Sequence, residues 1–175
     1  MRILSATIAA CLVIALTCAT HARAEVADNQ VDDREIAAFF DGYLAVYNRS
    51  FGHPERRTQF REELSAKVLM PIMQSPPSRA PRVPDSIESF TQGFAAFVTR
   101  LEGKGVTRLE WVSREYQVLS VNKVLANNVG IGITADGEVA YETASLYLLH
   151  RTEGGWKIVM FSPYDHDKLF QLGCS

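Results

Sequence analysis

Cysteine is scarce in this chain: three in 175 residues, at Cys11, Cys18 and Cys174. Two of them fall in an N-terminal apolar run, so neither a disulfide-stapled miniprotein nor a cysteine-built zinc site fits. An excess of positive charge is also missing. Lys and Arg number 18 against 20 Asp and Glu, for a net charge of -2 and a pI of about 6.1. That balance argues against a non-specific nucleic-acid binder. No glycine-rich phosphate loop, flavin fingerprint or metal-ligand spacing occurs, so no cofactor is implied. Hydrophobic residues make up 47% and charged residues 22%, which excludes a disordered or collagen-like chain and leaves one ordinary globular domain.

The single long apolar run is at the start. Arg2 precedes Ile3 to Cys18, which is broken only by Ser5, Thr7 and Thr17, and Ala22-Arg23-Ala24 follows. Charge, apolar stretch and small residues at the −3 and −1 positions read as a secretory signal peptide over residues 1–24, cleaved at Ala24/Glu25. The run is shorter than the roughly 20 residues a spanning helix needs. A lipoprotein is the alternative, because Ile8-Ala9-Ala10-Cys11 fits a lipobox in letters. The expectation is an exported protein, periplasmic or secreted, with no stable membrane insertion after cleavage. Losing Arg2 and Arg23 leaves 16 of the 18 basic residues against 20 acidic ones, a net of −4, and Cys174 as the sole thiol.

Residues 25–175 then read as helices followed by strands. Asp32 with Glu35 forms a capping box, and Ile36, Phe39, Phe40, Tyr43, Leu44 and Tyr47 recur at helical spacing. A shorter helix carrying Phe60 and Leu64 follows. Val68 to Met73 is apolar, and Pro71 makes it an edge strand. Four prolines crowd residues 74–84, an extended loop. Asp85, with Glu88 three residues on, is expected to cap a third helix with the stripe Ile87, Phe90, Phe94, Phe97, Val98 and Leu101, ended by Gly103 and Gly105. Strands are expected over 107–121, 124–134, 139–151 and 156–163, joined by Asn122-Lys123, Asp136-Gly137 and Gly154-Gly155. Gly130 and Gly132 alternate within the second of these, a sign of a bulge, a bend or close packing. The segregation of helices and strands predicts an α+β domain: a curved antiparallel sheet wrapped around three N-terminal helices.

Three stretches carry a family likeness: the helix Ile36 to Asn48, the pair of strands around Ala140 to Leu149, and the turn His150-Arg151-Thr152-Glu153-Gly154-Gly155-Trp156-Lys157-Ile158. With this order of elements the chain resembles the NTF2-like superfamily, the cone fold of SnoaL-like and ketosteroid-isomerase-like proteins. The superfamily holds isomerases, epoxide hydrolases, cyclases, dehydratases, dioxygenase subunits, transport factors and many proteins of no known activity, so the likeness implies a fold rather than a reaction. Isomerase-like members use a tyrosine on the first helix, an acid on a strand and a carboxylate base after that helix. Tyr43 or Tyr47 matches the tyrosine, Glu55 is the one acid in the segment Ser50 to Glu55, and Glu142 is the one acid well inside the late strands. The match is poor. The hydrolase pattern would need Asp41 with Arg114, and the dehydratase pattern His150 with Asp41; no local spacing supports either. The likeness also implies dimerisation through the convex sheet face.

Taken by themselves, Glu142 and His150 lie on one face of a strand and could flank a pocket as acid and base; the plainer account leaves both solvated near strand ends. Tyr141, Thr143, Ser145, Tyr147 and Leu149 occupy the opposite face, and the sequence does not settle which face looks inward. Trp111 and Trp156 read as packing residues. Tyr164-Asp165-His166-Asp167 reads as a solvated tail, and Asn48-Arg49-Ser50 is a sequon given no weight. The catalytic candidates are thus Tyr43, Tyr47, Glu142 and His150. The expected pocket lining is Phe40, Tyr43, Tyr47, Phe94, Trp111 and Tyr147, with no metal. The favoured function is binding of a small apolar molecule or a partner in the cone. An isomerase, hydrolase or cyclase and a non-catalytic homodimerising module are the alternatives.

Overall fold

A computed structural model of the chain describes residues 31–57, 59–74, 80, 82–169 and 172. The expected signal segment, its cleavage point, Cys11, Cys18 and Cys174 lie outside them. Helix α1 spans Asp33–Asn48 and carries Asp33 and Glu35 in its first turn, where the helix dipole favours acids. Its buried stripe is Ile36, Phe39, Phe40, Tyr43 and Val46, the 3.6-residue period of a helix pressed against a sheet. Gly52, at φ 72°, turns the chain. A short 3₁₀ turn over Pro54–Arg56 and helix α2, Arg61–Ser65, follow. Strand β1 is Val68–Gln74 and helix α3 is Ile87–Glu102. Its N-cap is Ser86, one residue after the expected Asp85, and the Ser86 hydroxyl accepts from the Ser89 amide. Four strands complete the domain: β2 Val106–Ser120, β3 Lys123–Thr134, β4 Val139–Thr152 and β5 Gly155–Tyr164.

The sheet order is β1-β5-β4-β3-β2. The β2 to β5 meander is antiparallel, as expected. The sheet as a whole is mixed, however, because β1 runs parallel to β5, with Val68 opposite Ile158 and Gln74 opposite Phe161. The expected curved antiparallel meander around N-terminal helices is thus present, and the direction of the edge strand β1, which the sequence left open, is parallel. Strand β1 reaches the free edge of β5 by a long crossover containing α3, and such a connection brings strands in parallel. On its other side β1 is partly covered: the Ile72 amide donates to Pro84 O, and Gln74 and Arg82 exchange two backbone bonds of 2.8 Å. The sheet edges β1 and β2 do not pair, so the cone stays open.

Register shifts bend the long strands, between Trp111 and Ser113 in β2, Gly132 and Ile133 in β3, and Leu148 and Leu149 along β4–β5. The glycines make room within this bend. A Cβ on Gly130 would lie 3.1 Å from the Trp111 ring, and one on Gly132 would lie 3.0 Å from both Tyr141 Cβ and Val106 Cγ2. The concave face closes on α1 through three side chains. Asn48 exchanges two hydrogen bonds with the backbone of Leu109, Trp111 Nε1 donates to Phe40 O at 3.3 Å, and Arg114 Nη1 donates to Ala37 O at 3.2 Å. Below them Phe40, Ile36, Leu64, Ile72, Leu101, Leu149 and Ile158 are fully buried and form the core.

Candidate functional site

The mouth of the cone leads into a pocket of ≈ 580 Å³ between α1, α3 and the concave side of β2 to β5. Its walls are aromatic and aliphatic: Phe90, Phe94 and Phe97 from α3, Leu109 and Trp111 from β2, Phe161 and Pro163 from β5. The period of α3 sets the three phenylalanines on one stripe. The Trp111 ring lines the pocket beside Gly130, its partner across the strands, where a Cβ would come within 3.1 Å of the ring.

Hydroxyls occupy the interior. Tyr43 and Tyr47, four residues apart on α1, hydrogen-bond each other through their phenolic oxygens at 2.8 Å. The Tyr147 ring packs edge-on to Tyr43 at 6.2 Å and tilted against Phe161 at 5.2 Å. Ser145 and Thr143 line the same wall from β4. Burial pushes the Tyr47 phenol up to about 12 and the Tyr43 and Tyr147 phenols well above their ordinary value. The neighbouring phenols add to the rise at Tyr43, while a hydrogen bond from its partner tempers it at Tyr47. At neutral pH all three are therefore uncharged. The hydroxyl hydrogens not used within the cluster can donate to a ligand oxygen, and the neutral phenols cannot act as bases.

The charged residues of the pocket stand at its mouth. They are Glu110, Glu142, Asp165 and His166 together with Arg82 and Arg100. Glu142 and Asp165 are each 50% exposed. Among the described residues lining the pocket, no carboxylate reaches the tyrosine cluster, and no group of three or more His, Cys, Asp or Glu is placed to hold a metal ion.

Of the six side chains expected to line the pocket, Tyr43, Tyr47, Phe94, Trp111 and Tyr147 do so. Phe40 does not, which corrects that expectation. It lies one turn earlier on α1, fully buried, and packs on Phe39, Trp111, Tyr116 and Tyr147 with ring centroids 5.0 to 6.1 Å away. The four catalytic candidates separate in the same way. Tyr43 and Tyr47 meet inside, whereas Glu142 sits at the mouth, 3.1 Å from His166. His150 is placed elsewhere: it pairs with Lys123 and Lys157 at the far end of β4, on the face opposite Tyr147, and does not line the pocket. The inward face of β4 is the one with Tyr141, Thr143, Ser145 and Tyr147.

Asp41 and Arg114 do meet, at 2.5 Å, but outside the pocket. Glu55 lies in the exposed 3₁₀ turn, 3.2 Å from His53, and does not face the pocket either. Tyr164, Asp165 and His166, read as a solvated tail, instead form part of the pocket's mouth. Their composition carries no local signal of that role, because the curl of β5 alone brings them there.

A half-open cone with helices across its mouth and a pocket inside is the architecture of the NTF2-like proteins. Residues 33–166 match the family described as NTF2-like protein (DUF6841), and the chain belongs to this family. No curated protein sequence matches it. Solved structures share its fold at low identity. An NTF2-like protein with a cystatin-like fold from Novosphingobium aromaticivorans is 14% identical, with a TM-score of 0.60 over 86% of this chain and 90% of that one. A putative calcium/calmodulin dependent protein kinase II association domain from Xanthomonas campestris is 15% identical, with a TM-score of 0.57 over 80% and 91%. Aln2 from a Streptomyces species is 12% identical, with a TM-score of 0.58 over 76% and 89%. Among the described residues no helix is long and apolar enough to cross a membrane.

Proposed function

We infer that the pocket binds a small molecule with a mainly apolar, ring-containing body whose oxygen substituents meet the tyrosine hydroxyls. The observation that carries this reading is the Tyr43–Tyr47–Tyr147 cluster inside aromatic walls. Neutral donors in an apolar surround orient a ligand through few, strong contacts. The same donors could polarise a carbonyl, but the acid–base partner that an isomerase or dehydratase needs does not face them. Binding therefore accounts for the site with fewer parts than catalysis. Export through the segment 1–24 would present this pocket outside the cytoplasm.

Gly93 supplies the test. It lines the pocket on the stripe between Phe90 and Phe97, and a Cβ there would meet nothing within 4 Å. Gly93→Leu places a side chain in that space and removes a helical glycine, which by itself favours the helix by about 1 kcal/mol. The apolar fluorophore N-phenyl-1-naphthylamine should bind the wild-type protein one to one, and Gly93→Leu should weaken it at least about tenfold while the melting temperature holds or rises. Equal binding by the two proteins would move the ligand out of this pocket.

A second reading is self-association. Val112 and Leu119 on the edge strand β2 are 61% and 52% exposed, and one protein of similar fold is described as an association domain. Sedimentation of the purified protein, with Leu119→Lys as the comparison, tests it.

A further inference from the structure

The charges at the pocket mouth are not matched evenly. Each of the three carboxylates there has its own neighbour: Glu110 pairs with Arg108 at 2.8 Å and Asp165 with Lys168 at 2.9 Å, while Glu142 lies 3.1 Å from the His166 ring, an ion pair only when that ring is protonated. Arg82 and Arg100 line the same mouth, and among the described residues neither has a carboxylate within 4.0 Å. The backbone of the first and the guanidinium of the second are held in place. The Arg82 backbone is fixed by its two 2.8 Å bonds to Gln74. The Arg100 guanidinium stacks 5.3 Å over the ring of Phe97, a wall residue. Lys104, which does not line the pocket, lies 5.4 Å over the ring of the wall residue Tyr141.

Two arginines without internal anions, at the entrance to an apolar cavity with neutral hydroxyls inside, define a polarity along the pocket. We propose that the ligand is an amphipathic anion: its apolar body fills the aromatic interior, and a carboxylate, sulfonate or phosphate group at one end is held at the mouth between Arg82 and Arg100. Guanidinium groups suit this task because they present planar, paired donors that match such groups two bonds at a time. The arrangement also gives the ligand one orientation, charged end outward, since the interior offers no cation to a buried anion. This deepens the pocket-binding reading and rests on it.

Two probes that differ only by a sulfonate test it: 8-anilinonaphthalene-1-sulfonate and uncharged N-phenyl-1-naphthylamine. The wild-type protein should bind the sulfonate tighter by about tenfold or more, and 1 M salt should narrow the gap. The double variant Arg82→Gln/Arg100→Gln should lose that preference while its affinity for the neutral probe changes by less than about twofold. Both side chains are exposed, so retained binding of the neutral probe also reports the fold. A wild-type protein that binds both probes equally overturns the anionic end and leaves the pocket reading standing. A sulfonate preference that survives the double substitution overturns the role of the two arginines. If neither probe binds, the pocket reading itself fails and the inference goes with it.

Discussion

Tyr43 and Tyr47 join their phenolic oxygens at 2.8 Å across one turn of α1, inside the pocket. One phenol must donate and the other accept, so the pair offers a ligand a single free donor hydrogen and the remaining lone pairs. Burial that makes them good neutral donors also fixes when they ionise. The unfolded chain loses each phenolic proton near pH 10, and folded Tyr47 holds its own to about 12. Above pH 10 the unfolded state therefore binds fewer protons than the folded state. The stabilising term is fully present below that pH and declines between 10 and 12, by about 1.4 kcal/mol per pH unit for Tyr47 alone. Urea midpoints should fall over that window, and a late part of the phenolate absorbance rise, above the ordinary tyrosine range, should include Tyr43, Tyr47 and Tyr147. Tyr47→Phe should remove one phenol from that late part; an unchanged late part would contradict the assignment.

Gly130 and Gly132 should respond differently to alanine. At Gly132 the new Cβ meets Tyr141 Cβ and Val106 Cγ2 at 3.0 Å, atoms close to the backbone that cannot swing aside, so Gly132→Ala should cost about 1–3 kcal/mol. At Gly130 it meets the outer carbons of the Trp111 ring at 3.1 and 3.2 Å. That ring can tilt, weakening the bond from Trp111 Nε1 to Phe40 O. Gly130→Ala should therefore shift the tryptophan emission and probe binding more than stability. Equal melting temperatures for the two variants would count against this distinction.

Asn48 acts as an extra rung of sheet. Its amide nitrogen donates to Leu109 O at 3.0 Å and its oxygen accepts from the Leu109 amide at 2.7 Å. Asn48→Ala leaves both backbone groups without that partner and should cost about 1–3 kcal/mol. Asn48→Asp keeps the acceptor and loses the donor, so it should cost less at acid pH, where the carboxyl is protonated, than at neutral pH. Thermal melts at two pH values would check the order.

Asn128 presents the opposite case. It is fully buried opposite Ser145, and among the described residues neither atom of its side-chain amide has a protein partner. Asn128→Val, which removes both polar atoms with less added bulk than leucine, should raise stability by about 1–3 kcal/mol by removing two unmet polar groups. A loss of stability instead would mean that the amide is hydrogen-bonded in solution.

Much of this architecture was legible because it is periodic. The stripes of α1 and α3, the hairpin turns and the four long strands follow from repeats of 3.6 and 2 residues, and five of the six expected pocket side chains lie where those repeats put them. What escaped was long-range. Residues on both faces of β4 are apolar enough to pack, so alternation alone could not say that Tyr147 faces inward and His150 away. The direction of β1 depends on a partner, β5, from the far end of the domain. Phe40 shares its helical stripe with Tyr43 and Tyr47, and only its depth under Trp111 and Tyr147 removes it from the pocket. The mouth residues Tyr164 to His166 owe their place to the curl of a strand that their own composition does not announce.

The pairing of Val68 with Ile158 also governs how the protein is made. Strand β1 leaves the ribosome early, yet its neighbour in the sheet is the last strand to appear. Until then β1 has an unpaired apolar edge, and the wall that Phe161 and Pro163 give the pocket does not exist. Closing so long a loop is slow, and an exposed edge invites pairing with other chains in the interval. A nascent chain stalled before residue 155 would therefore carry helices α1 to α3 and three strands of the meander, and should still depend on chaperones to stay in solution.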